Sequence, residues 1–261
     1  MQPQTQRVLI RVSDTTLSFA TQTQDGQLLY EPFPVRNGMS MAANLREAFR
    51  NSDILLGDYR RAFVMIDSPT LVLPIDEADT DIDAQYRYVY ANTEGSVVET
   101  HLIPILNVVV AYAVNKDLKM VLEDNFSDVR LLPLMTTTWE FLMRRNLTGG
   151  AKRLFAYFHD GKMDVSVFSR NRFLFVNSFE GTDAHDAVYF ALGVWKQLGL
   201  NSNEDEFHYM GNVPEQDWFV EEMRLFVKKV FPINPAVELP NAETLAASGM
   251  AADMMITFNN L

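Results

Sequence analysis

Residues 7–35, RVLIRVSDTTLSFATQTQDGQLLYEPFPV, are written a second time in outline at residues 153–179, RLFAYFHDGKMDVSVFSRNRFLFVNSF. In each stretch an apolar run (Val8 to Val12; Leu154 to Phe158) is followed, two residues past its end, by an aspartate, Asp14 and Asp160. A second strand follows, then a polar turn (Gln24-Asp25-Gly26; Arg170-Asn171), then a third strand. A three-stranded meander repeated 146 positions later predicts a duplicated domain. The run Val8 to Val12, apolar nearly throughout, is the pattern of a strand buried on both faces. Leu17, Phe19 and Thr21 alternate with polar residues, as do Leu28 and Tyr30, which predicts half-exposed second and third strands.

The likeness continues past the meander. Ser40 precedes a helix from Met41 to Arg50, and Gly181-Thr182-Asp183 precedes one from Ala184 to Leu198 that Gly199 ends. A short apolar strand follows each helix, Ala62 to Ile66 and Phe207 to Met210, and Pro69 and Pro214 punctuate the chain just beyond. The remainder of the second copy reads as a helix from Glu215 to Phe231, a short strand near Val237 and a tail helix rich in small residues and methionine. Between the copies, strands are expected at 71–74, 98–105, 108–114 and 129–132, with helices leading to Tyr90, over 118–122 and over 138–145. Thr148-Gly149-Gly150 is the natural linker. The expected organisation is therefore a first lobe over 1–148, with an inserted subdomain at about 70–105, and a second lobe over 149–261.

Composition narrows the function. Apolar residues form 48% of the 261, enough for a substantial core. The net charge of -12, with no compensating basic cluster, opposes nucleic-acid phosphates and anionic membrane. The absence of cysteine removes disulfides, thiolate catalysis and cysteine metal sites. No apolar run approaches the roughly 20 residues of a membrane span, and the start of the chain carries no signal segment. The expectation is a cytoplasmic protein without direct membrane insertion.

A duplicated βββαβα unit with an aspartate in the first hairpin of each copy resembles the actin-like ATPase superfamily of actin, sugar kinases and Hsp70-type domains. The nearest resemblance is to an uncharacterised bacterial family with that fold, and type IV pilus and type II secretion assembly proteins are similar in outline. The carriers are RVSDTTLSF (11–19), FVMIDSPTLVLP (63–74), NVVVAYAVNKDL (107–118) and the second hairpin. The resemblance implies an α/β fold of two RNase H-like lobes, each with a mixed five-stranded sheet flanked by helices, and a small insertion in the first. It implies ATP and Mg²⁺ as cofactors. The nucleotide would be held at Asp14, Thr15 and Thr16, at Asp160, Gly161 and Lys162, and at Gly211 and Asn212, with Asp14 and Asp160 holding Mg²⁺ through water. Phosphates need free backbone N–H groups at tight turns, which glycine provides. Here the first loop has no glycine, the second has one, and Gly211-Asn212 stands where paired glycines are usual.

Other clusters read as structure. Asp76, Asp79, Asp81 and Asp83 begin like a calcium loop, but Ala84 and Tyr90 occupy its glycine and glutamate positions, leaving a solvated acidic loop. Asp14, Glu47 and Asp67 suggest the carboxylates of an RNase H-like nuclease, although Asp14 lies in a turn rather than a strand. His101, His159, His185 and His208 have no metal-ligand spacing, and Met250, Met254 and Met255 suit either a core or an adaptable partner surface. The expected function is a scaffold that binds a protein partner, with nucleotide binding weak or lost. The alternatives are a working Mg-ATP-dependent ATPase or kinase and, third, the nuclease.

Overall fold

The computed structural model describes residues 7–78, 81–146, 150–170, 172–240 and 249–261. Asp79 of the acidic run, Asn171 of the second polar turn, and Thr148 and Gly149 of the expected linker lie outside them. The chain separates into two compact units, Met1–Thr136 with Glu243–Met250 and Thr257–Leu261, and Thr137–Ala242 with Ala251–Ile256.

In the first unit, β1 (Arg7–Val12), β2 (Leu17–Gln22), β3 (Leu28–Phe33), α1 (Met41–Asn51) and β4 (Arg61–Ile66) follow in the expected order. β5 (Thr70–Pro74), α2 (Ile82–Val89), β6 (Ser96–Ile103), β7 (Val108–Asn115), α3 (Lys116–Asn125) and β8 (Asp128–Pro133) come next. The main sheet runs β3-β2-β1-β4-β8, and β5, β7 and β6 make a separate three-stranded sheet. β1 pairs antiparallel with β2 and parallel with β4, so the sheet is mixed. Val8, Ile10 and Val12 of β1 pack with Leu45 and Ala48 of α1 and Leu118 and Leu122 of α3 in one core. Ser40 starts α1 by accepting the Ala43 N–H.

The second unit repeats this plan. It comprises α4 (Thr136–Arg145, entered at Thr137), β9 (Lys152–His159), β10 (Lys162–Ser169), β11 (Arg172–Glu180), α5 (Ala184–Gln197), β12 (Glu206–Gly211), α6 (Gln216–Phe226), β13 (Val230–Pro232) and α7 (Pro235–Glu238), with the first part, to Ile256, of α8 (Ala252–Asn260). Its sheet order, β11-β10-β9-β12-β13, is that of the first sheet position for position. β9 pairs antiparallel with β10 and parallel with β12, so each duplicated meander carries a parallel fourth strand on the far side of its first. The expected pair of mixed five-stranded sheets flanked by helices is present.

Three details differ from the sequence reading. β2 is buried over Leu17 to Thr21 rather than half exposed. Its polar members are accommodated inside, as where the Thr21 hydroxyl donates to the Arg7 carbonyl at 2.8 Å. The helix expected to reach Phe231 stops at Phe226, and Val230 to Pro232 form the fifth strand, paired with Phe207 to Tyr209. The strand expected near Val237 is the short helix α7, because Asn234 caps it and Pro235 occupies its first turn. Met250, Met254 and Met255 are buried, which settles them as core. Among the described residues no helix is long and apolar enough to cross a membrane.

Two glycines make opposite demands. At Gly211, φ is +87° and a Cβ would lie 2.0 Å from the Phe158 carbonyl oxygen, so β12 can close on β9 only without a side chain. Gly193 sits inside α5, where a Cβ would meet nothing within 4 Å. Urea unfolding of Gly211→Ala should therefore show a loss of roughly 3 kcal/mol or more. Gly193→Ala in the same assay should gain about 1 kcal/mol, the cost of a glycine in a helix interior.

Candidate functional site

The two first hairpins occupy equivalent ends of their sheets. In the first unit Val12 pairs with Leu17, and the Ser13 N–H reaches the Thr16 carbonyl at 2.9 Å, leaving Asp14 and Thr15 as the turn. In the second, His159 pairs with Lys162 and Asp160-Gly161 is the turn. Both of these residues have positive φ, +47° and +75°, the twist-matched form of a two-residue hairpin that glycine makes accessible. The fourth strand of each unit ends against its first hairpin in the same way. The Asp67 N–H donates to the Val12 carbonyl at 2.9 Å, and the Asn212 N–H to the Phe158 carbonyl at 3.0 Å. Thus Asp14, Thr15 and Thr16 stand with Asp67 at one sheet end. Asp160, Gly161 and Lys162 stand with Gly211 and Asn212 at the other unit's equivalent end.

The first turn is organised by hydroxyls. The Ser13 side chain is buried and accepts the Thr16 N–H at 3.0 Å and the Thr15 N–H at 3.3 Å. Its Oγ also lies 2.8 Å from the Thr16 hydroxyl, which accepts from the guanidinium of buried Arg11 at 2.8 Å. Arg11 lies within the run read as apolar, and its hydrogen bond across the hairpin was not foreseen. Glu47, one of the three carboxylates of the nuclease reading, pairs with Arg36 at 2.5 Å.

The second turn is organised by an ion cluster. His159 Nδ1 lies 2.9 Å from Asp160 Oδ2, and its Nε2 lies 2.8 Å from Asp164 Oδ2. The His159 and Asp160 side chains are only 4% and 7% exposed. The imidazole also stacks on Tyr157, with ring centroids 4.6 Å apart, and the Tyr157 hydroxyl accepts the backbone N–H of buried Asp253. Burial by itself would lower the His159 pKa. The hydrogen bonds to Asp160 and Asp164, with the further charge of Asp253, outweigh it and raise the pKa to about 10. His159 is therefore a cation at neutral pH. His208 is the contrast: burial lowers its pKa, and the opposing hydrogen bond to Glu206 does not overcome it.

Asp160 was singled out from sequence; Asp164 was not. The signal lay in the register. Once the turn places His159 opposite Lys162, Asp164 falls on the same face one diagonal step away.

A family model described as "Protein of unknown function (DUF3822)" matches residues 2–230. No curated protein matches the sequence. A crystal structure from Bacteroides thetaiotaomicron VPI-5482, a protein with an actin-like ATPase fold and unknown function, superposes with a TM-score of 0.82. It is 26% identical over 88% of this chain and 91% of that one. The PilM-PilN type IV pilus biogenesis complex gives a TM-score of 0.55 at 9% identity, over 98% of both chains. The fold is actin-like.

The protonated His159 sets a sign for stability against pH. Its folded pKa of about 10 lies above the ordinary 6.5. Its contribution is therefore complete below about 6.5, declines above that, and is gone once the pH has risen through about 10. Denaturant midpoints measured across this window should fall with rising pH. In His159→Leu the slope should flatten, and stability at neutral pH should drop by roughly 3–5 kcal/mol because two carboxylates lose their buried counter-charge.

Proposed function

The chain belongs to the DUF3822 family of proteins of unknown function, and on that premise we propose that it is a cytoplasmic scaffold that binds a protein partner through an actin-like fold, with nucleotide binding weak or absent. The observation that carries this reading is the internal use of the groups a nucleotide would need. Phosphates are held by backbone N–H groups at tight turns, and in the first turn the Thr15 and Thr16 N–H groups are bonded to Ser13 Oγ. At the second strand end the Asn212 N–H is bonded to Phe158. A Mg²⁺ ion held through water needs an accessible carboxylate, whereas Asp160 is paired with a cationic His159. On this reading Asp14, Asp160 and the three loops are remnants of a nucleotide site that do not suit Mg-ATP.

A partner role fits what is known of a fold neighbour: PilM occurs in a complex with PilN. The net charge of -12 makes a nucleic-acid partner unfavourable and leaves a protein as the class proposed. We also keep the division into lobes at 148–149, with the insertion at about 70–105, as part of the proposal.

Thermal melting with and without millimolar Mg-ATP tests the nucleotide half of this reading. A site present at 100 times its Kd would stabilise the fold by about 2.7 kcal/mol. The expected result is no shift. A clear upward shift that disappears in Asp14→Ala or Asp160→Ala would overturn the proposal in favour of the ATPase. The partner half is tested by affinity capture of the intact chain, which should recover the same protein in independent repeats.

A further inference from the structure

Helix α5 buries Ala184, Ala187, Val188, Ala191, Val194 and Trp195 against the second unit's core. Its opposite side exposes Asp186, Tyr189, Gly193 and Lys196. Steps of three, four and three residues align these four on one stripe of the helix. Tyr189 is 73% exposed, unusual for so large a ring. Gly193, one turn further on, lacks the positive φ that would call for glycine, and the space above it is open. The helix thus carries, side by side, a projecting ring and a notch for which its own fold gives no reason. Among the described residues neither Asp186 nor Lys196 has an ion-pair partner.

The stripe is self-complementary when reversed. Laid antiparallel on a second copy about a two-fold axis midway between Tyr189 and Gly193, it sets Tyr189 of each helix over Gly193 of the other. The same register sets Asp186 against Lys196, again twice. Isologous contacts require this property, that residue i meets j while j meets i. A glycine in the contact lets two helices approach closely enough to seat a ring. We propose that α5 is the contact of a symmetric dimer of this chain, with Tyr189 seated in the partner's Gly193 notch and two Asp186–Lys196 ion pairs closing its ends. One helix pair is a small contact, so the dimer is weak and depends on concentration.

Sedimentation velocity of the full chain over a concentration series reads the association directly. The wild type should pass from monomer to dimer. Gly193→Leu fills the notch, and should move the transition at least tenfold higher in concentration while the melting temperature is held or raised. Asp186→Lys should do likewise by placing like charges together, and the double variant Asp186→Lys/Lys196→Asp should restore the dimer. A wild type that stays monomeric at its solubility limit would overturn the proposal. So would a dimer indifferent to Gly193→Leu, or a folded double variant that does not recover association. None of these results depends on whether the protein binds a nucleotide.

Discussion

The parallel pairing of the first strand with the fourth, β1 with β4 and β9 with β12, is the constraint on which each unit depends. These central strands are almost wholly buried, with Val8, Ile10, Ala62 and Val64 in one unit and Leu154, Ala156 and Phe207 in the other showing 0–1% exposure. Parallel pairing requires a crossover that returns the chain to the same sheet end, which α1 and α5 supply. It brings the end of the fourth strand to the first hairpin. The Asp67–Val12 and Asn212–Phe158 hydrogen bonds are the last rungs of these ladders. A close backbone approach completes the second ladder, which is why Gly211 admits no side chain.

The duplication was legible because it lies in patterns a linear reading detects: apolar runs, turn residues and their spacing. What escaped notice had its cause across strands. β2 appeared half exposed because Leu17, Phe19 and Thr21 alternate with residues such as Ser18, yet a central strand covered on both faces buries polar residues when they find partners. β13 is three residues long and stays in place by pairing with Phe207 to Tyr209; in its own letters, VFP, only Pro232, which cannot continue a helix, marks it apart from the helix before it. Asp164 carried no signal in the sequence reading; the hairpin register brings it to His159.

The two turns show how far one backbone plan can diverge in chemistry. Ser13-Asp14-Thr15-Thr16 is held by neutral hydroxyl and amide hydrogen bonds, with one buried arginine behind it. His159-Asp160-Gly161-Lys162 is held by an imidazolium between two carboxylates. A hydroxyl turn changes little with pH; an ion cluster with a His pKa of about 10 is held together by its proton. Equivalent positions of one backbone plan are thus stabilised by unrelated means.

That divergence bears on how likeness to nucleotide-binding proteins should be weighed. Fold similarity here rests on strand order and burial, and both are satisfied by the apolar runs alone. Phosphate binding would need unspent N–H groups at the turns, and metal binding a carboxylate open to water. Those groups are few and local, and a single serine hydroxyl or one imidazole can occupy them without disturbing a strand. At equivalent positions in the two copies, Ser13 accepts the Thr15 and Thr16 N–H groups and His159 pairs with Asp160, while Asp14 stays exposed. Sheet order therefore places little constraint on these groups, and nucleotide chemistry is decided by the side chains at the two turns rather than by the fold around them.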